Sequence, residues 1–297
     1  MFSEERDGRR GIRRILLLVM AAALLAAGAG AEGNLPGTAG ALRGYDEEAG
    51  YVYVTLGQYP QTKEGGLLPI LWRVLEVDGE KAYLLSEYIL FARCMNASLK
   101  DYRDELKGDF GKTEMCQYLN TTFAQTAFTE QEMNMLTPLE GVGKVFLPSA
   151  DDLKKKEWGL GTTLVGSGNL EKIMANPGLR AWGTEWAIEN NGFDPAEYPD
   201  VKVKYEGSSR KPMPLKELRL FVYSNGKGAH SPYWTRDNST ADARHARCIK
   251  ADGSIGHIEV GRDNEGARPG IYLRSGAYQI LGGSGTKEDP YRIGAAQ

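Results

Sequence analysis

Two Asp-Gly dipeptides, Asp78-Gly79 and Asp252-Gly253, each stand between runs of β-branched and aromatic residues, one pair early and one late in a 297-residue chain. Asp-Gly between apolar runs is a strong short-range signal for a β-hairpin, so the chain is expected to fold with hairpins near both ends. In the first, PILWRVLEV and KAYLLSEYIL flank the turn, and a two-residue Asp78-Gly79 loop sets Glu76 opposite Lys81 and Val74 opposite Tyr83. The opposite charges favour that register. In the second, ARHARCIK and SIGHIEV fold back on Asp252-Gly253, with RLFVYS and SPYWTRD before them and RPGIYLR after. Four short strands in about 55 residues make an antiparallel sheet.

Helical signals lie between the hairpins. TEMCQYLNTTFAQT at 113–126 places Met115, Tyr118, Leu119, Thr122 and Phe123 at helical spacing, and Thr129-x-x-Glu132 is a capping box for a second short helix. KVFLPS at 144–149 reads as a strand, and Ser149-x-x-Asp152 as the cap of a charged helix through DDLKKKEW. Residues 159–217 alternate Gly, Pro, Asn and aromatics without a period, which predicts long loops, and Trp158, Trp182 and Trp186 argue that they are ordered. The tail YQILGGSGTKEDPYRI adds a strand, a turn and a final edge segment. The fold class is α+β. With no alternation of strand and helix, Rossmann and TIM-barrel architectures are disfavoured.

The N-terminus sets the compartment. Arg6, Arg9, Arg10, Arg13 and Arg14 precede the apolar run from Ile15 to Ala27, which ends in small residues at Ala29-Gly30-Ala31. The run is too short to cross a bilayer comfortably and reads as a secretory signal peptide, residues 1–31, with cleavage expected after Ala31. Residues 32–49 form a Gly-rich acidic linker. Cleavage removes five arginines and three acids, so the mature chain is more acidic than the full chain's net charge of −3. No basic field is available for nucleic acid, and no membrane segment is expected after cleavage. The protein is therefore expected to be secreted, extracellular or on the cell surface. Cys94, Cys116 and Cys248 form no closed disulfide framework, which leaves either one disulfide with a free thiol or three reduced, buried thiols. Asn-x-Ser/Thr triplets at Asn96, Asn120 and Asn238 matter only in a eukaryotic secretory pathway, which nothing here supports.

The blocks VTLGQYPQT, LWRVLEVDGEKAYLLSEYIL, YLNTTFAQTAFTEQE, KVFLPSADDL, SPYWTRDN and KADGSIGHIEVGRDNEGARPGIYL occur in an order that resembles the domain-of-unknown-function family 6273, over residues 51–275. Residues 276–297 look like a closing strand segment found in bacterial surface modules. The family is made up of exported and surface proteins of Gram-positive, gut-type bacteria. The resemblance implies a fold like that of C-type lectins and formylglycine-generating enzymes: antiparallel hairpins, short helices and long loops that carry a ligand site. It implies a fold and not an activity. The oxidase branch of that fold binds copper through a pair of late cysteines. Only Cys248 lies in the late hairpin, so copper chemistry is not expected.

Three chemistries compete in the C-terminal third. On a two-residue turn Cys248 stands directly opposite His257, the arrangement of an activated thiol, which makes a secreted thiol enzyme the alternative reading. Asp237-Asn238 and Asp263-Asn264-Glu265 offer oxygens for calcium, but the Glu-Pro-Asn or Gln-Pro-Asp motif of calcium lectins is missing. Tyr233, Trp234, Arg236, Asp237, Arg247, Asp263 and Arg268 combine aromatic platforms with planar donors, as carbohydrate and peptide sites do. The same residues also suit a core tryptophan with an arginine–carboxylate network around it. Trp72 and Trp234 are expected in the core. The favoured function is a non-enzymatic binding module for a glycan or surface protein, with no cofactor unless calcium binds.

Overall fold

The computed structural model describes residues 42–160, 177–190, 202–203, 213–214, 223–224, 229–250, 253–262 and 264–297. The signal peptide and most of the 159–217 stretch lie outside the described residues. Among those described, no helix is long and apolar enough to cross a membrane.

The fold is mixed α+β. The early strands are β1 (Val52–Pro60), β2 (Leu67–Val77), β3 (Lys81–Ser86), β4 (Phe91–Ala92), β5 (Leu136–Thr137) and β6 (Val145–Phe146). Four two-residue strands follow: β7 (Lys202–Val203), β8 (Met213–Pro214), β9 (Tyr223–Ser224) and β10 (Ala229–His230). The late strands are β11 (Tyr233–Asn238), β12 (His245–Ile249), β13 (Ile255–Glu259), β14 (Gly266–Ala267), β15 (Gly270–Arg274), β16 (Tyr278–Gly282) and β17 (Tyr291–Ala295). The larger sheet runs β16-β17-β1-β2-β3-β15, with β5 and β6 both pairing the far side of β15. The smaller sheet runs β13-β12-β11-β14-β4. Each sheet holds one parallel pair, β1 with β17 and β11 with β14. The tail segment read as an edge is thus internal: β17 lies between β16 and β1, and β16 is the edge.

One bent antiparallel ribbon belongs to both sheets. β3 pairs β15, then Phe91 and Ala92 pair Ala267 and Gly266 in the smaller sheet. Between them the Ser86 amide donates to the Pro269 carbonyl at 2.9 Å and the Leu90 amide to the Ala267 carbonyl at 3.0 Å. Arg268 sits at the bend, with no exposed surface.

The alternation of β1 buries Val52, Val54 and Leu56. At Gly57 its register shifts, where the helix end Ala127–Phe128 abuts the strand: a Cβ on Gly57, whose φ is +68°, would lie 2.5 Å from the Ala127 carbonyl oxygen. Helices α1 (Leu99–Asp104), α2 (Glu114–Tyr118), α3 (Ala124–Ala127) and α4 (Glu130–Asn134) are short. The 113–126 helix forms, capped by Thr113, but Leu119–Phe123 is a π-turn joining α2 to α3. Met115, Tyr118, Leu119 and Phe123 are buried as expected, whereas Thr122 is exposed because the wider turn rotates it outward. The Thr129–Glu132 capping box forms. Ser149 and Asp152 also cap each other, at 2.9 Å in both directions, but two 3-10 turns follow in place of the charged helix. Lys155 breaks the run in extended backbone, and Trp158 turns inward to meet Tyr83 edge-on at 4.7 Å.

Candidate functional site

The late hairpin decides the chemistry, and its register differs from the expected one. The Lys250 amide donates to the Ser254 carbonyl at 2.7 Å and the Gly253 amide to the Lys250 carbonyl at 2.8 Å, so the loop is three residues long with Gly253 at φ +86°. Cys248 therefore pairs with Gly256, and His257 with Arg247. A shift of one residue moves a side chain to the opposite face. Ala246 and Cys248 point into the core, while His245, Arg247, His257 and Glu259 share the other face. The proposed Cys248–His257 dyad is not assembled. Burial pushes the Cys248 thiol well above its ordinary value, with the nearby Glu265 adding to the effect, which is the reverse of what a nucleophilic thiol requires. Cys94, Cys116 and Cys248 are all free and buried.

Most of the sequence candidates are structural. Tyr233 and Trp234 are fully buried. Tyr233 Oη donates to the Leu179 carbonyl at 2.7 Å, and Trp234 Nε1 to the Arg93 carbonyl at 2.8 Å. Arg236 Nη1 donates to the Leu147 carbonyl at 2.9 Å and pairs with Asp152 at 2.6 Å. The Asp237 carboxylate accepts the Ala150 amide at 2.6 Å. Arg268 is fully buried, and Asp263 lies outside the described residues. Trp72 is in the core, donating to the Leu56 carbonyl at 2.9 Å. Among the described residues no group of three or more His, Cys, Asp or Glu side chains could hold a metal ion. Of the oxygens suggested for calcium, the Asp237 carboxylate is engaged by the Ala150 amide and Glu265 is buried, while Asp263 lies outside the described residues.

Arg247 is the candidate left facing solvent. It is half-buried and lines an open cleft of about 250 Å³ with Lys154, Ser239 and His257. Among the described residues its guanidinium makes no hydrogen bond or ion pair. The His245 and His257 rings meet edge-on beside it, with centroids 5.5 Å apart. A second open cleft, about 290 Å³, lies across the Ser239–Ala243 loop and is lined by Arg103, Lys107 and Asp242. That loop is braced from within. The Ser239 amide reaches the His245 carbonyl at 2.9 Å, the Ala241 amide reaches Ser239 Oγ at 3.1 Å, and Arg244 grips Asp242 through Nε and Nη2. Hydrogen bonds from Arg244 hold the Asp242 carboxyl far below its ordinary value, so it stays ionised. Lys154 is paired with Asp151 at 2.7 Å and Arg103 with Asp104 at 2.6 Å. Among the described residues, the side chains of Arg247, Lys107, His257 and Asn238 remain as uncommitted nitrogen donors of the two clefts.

Lys154, Arg103, Lys107 and the Ser239–Ala243 loop were not singled out from the sequence, and His245 was weighed only with His230 and His257 as a metal site without ligand spacing. The alternation of HARCI, with polar His245 and Arg247 against apolar Ala246 and Cys248, already carried the signal for an open polar face. The other residues come from distant segments and are brought in only by the fold. The chain matches no family model, no curated protein and no solved structure.

Proposed function

We propose that this chain is an exported or surface-associated, non-enzymatic binding module of the domain-of-unknown-function 6273 type, recognising a glycan through the open face of the late hairpin. The observation that carries the reading is Arg247, whose guanidinium has no partner among the described residues and stands beside a contacting pair of histidines in a braced cleft. Planar donors on a rigid strand suit ligands rich in hydroxyl and carboxylate oxygens. Placement on a strand pair also lowers the ordering cost that weakens loop-borne sites.

The Arg-rich leader at 1–31 supports export, and the meeting of the early strand β1 with the late strand β17 in one sheet supports a fold in which the two ends of the chain close together. A glycan and peptidoglycan-fragment array probed with and without chelator tests the proposal. Saturable binding to a defined glycan class, indifferent to chelator, is expected. Loss in chelator would point to calcium, and silence on every feature would move the weight to a protein partner.

A further inference from the structure

At the ribbon bend Arg268 has no exposed surface, and its Nε donates to the Ser86 carbonyl at 2.7 Å. Its other two nitrogens, Nη1 and Nη2, are buried with no hydrogen-bond partner among the described residues. The groups around it are predominantly cationic. Arg73 forms a two-point ion pair with Glu87, and Lys287 reaches the same carboxylate at 2.7 Å from the loop between β16 and β17. Burial opposes the charge on Glu87. Hydrogen bonds from Arg73 and Lys287 and the fields of Arg73 and Arg268 outweigh it, and hold the carboxyl below its ordinary value. Three cations thus share one carboxylate. The Tyr233 ring lies 5.6 Å from the Arg268 guanidinium, the Tyr51 ring 4.7 Å from that of Arg73, and Tyr51 Oη is another buried group with no partner among the described residues.

A buried guanidinium that shares its one counter-charge with two other cations is costly, and a native fold that keeps one has something to gain from a second anion. We propose that the Arg268 bend is a binding site for a carboxylate group, held by Nη1 and Nη2 of Arg268 with Tyr51 Oη as a further donor. With Nε taken by Ser86, the two free nitrogens present the end of the guanidinium fork, whose spacing matches the two oxygens of a carboxylate. Lys287, at 40% exposure, marks the solvent side of the cluster. This site is separate from the hairpin cleft and stands whether or not a glycan binds there.

Thermal unfolding of the full protein, titrated with sodium acetate and sodium formate against sodium chloride and sodium phosphate at matched ionic strength, tests the site. A saturable rise in Tm is expected with the carboxylates, about 5 °C at a hundredfold excess over Kd, without an equivalent from chloride or phosphate. Arg268→Met should abolish the carboxylate response and unfold no earlier than the unsubstituted protein in carboxylate-free buffer. Lys287→Met should weaken the apparent affinity severalfold. Superimposable salt curves would overturn the proposal, as would an Arg268→Met protein that still titrates with the carboxylates. A response to phosphate alone would overturn the ligand class. If Arg268→Met fails to fold, the specificity of the unsubstituted protein and the Lys287→Met shift decide the matter.

Discussion

Glu265 is 4% exposed, and burial pushes its carboxyl up to about 8 while Lys250 only partly offsets the shift. In the unfolded chain the same group titrates near the ordinary glutamate value of about 4.3. Between those two values the folded state holds a proton that the unfolded state has lost, so stability falls as pH rises through the window. Glu265→Gln is expected to be nearly neutral at pH 4.5 and stabilising by roughly 3–5 kcal/mol at pH 8, checked by urea unfolding at both. Cys248→Ser puts a hydroxyl where a thiol is 3% exposed, and should cost about 1–3 kcal/mol while leaving ligand affinity unchanged. Affinity measured well below the unfolding transition, where the variant is still folded, separates this from a catalytic role. Burial explains which residues could be read in advance. Trp72 and Trp234 were legible as core because large apolar rings have one favourable place to go. For Arg236 and Asp237 an arginine–carboxylate network was legible as a type, but not its members, since their partners, Asp152 and the Ala150 amide, lie more than eighty positions away.

The existence of both hairpins follows from Asp-Gly between apolar runs, yet their registers do not. At the first, the Asp78 amide donates to the Lys81 carbonyl and the Asp78 carboxylate accepts the Glu80 and Lys81 amides, so the loop is Gly79-Glu80 and not Asp78-Gly79. Glu76 then pairs with Tyr83, and a bulge brings Val74 opposite Leu84. The expected Glu76–Lys81 pairing is replaced: Glu76 meets Lys155 at 3.2 Å, and Lys81 lies 4.2 Å over the Tyr272 ring. A local rule places the turn, but a hydrogen bond made by the turn's own side chain chooses among adjacent registers. The π-turn was equally out of reach. It is held by Asn120, whose Nδ2 donates to the Cys116, Val142 and Val145 carbonyls and whose Oδ1 accepts the Val145 amide at 3.1 Å. Asn120→Ala should therefore destabilise by about 2–3 kcal/mol in urea, far above a surface substitution.

Across the whole molecule, the tail is part of the main sheet. β17 pairs β1 in parallel, the Gly285 carbonyl accepts the Tyr53 amide at 2.8 Å, and Lys287 reaches Glu87. Truncation before residue 276 should expose the edge of β1 and leave Ile293 and Tyr278 out of the core. The expected outcome is an aggregating chain in gel filtration, where an appended segment would be lost without effect. The sequence order of hairpin, helices, loops and hairpin was enough for the α+β class. The joining of the ends was not, because β1–β17 pairing links residues more than two hundred positions apart. For the recognition face the most direct measurement is an array of glycans and peptidoglycan fragments read side by side with the unsubstituted protein, Arg247→Ala and Cys248→Ser. The account predicts saturable binding that Arg247→Ala weakens at least tenfold and Cys248→Ser leaves intact. Binding that survives Arg247→Ala at full strength would contradict it.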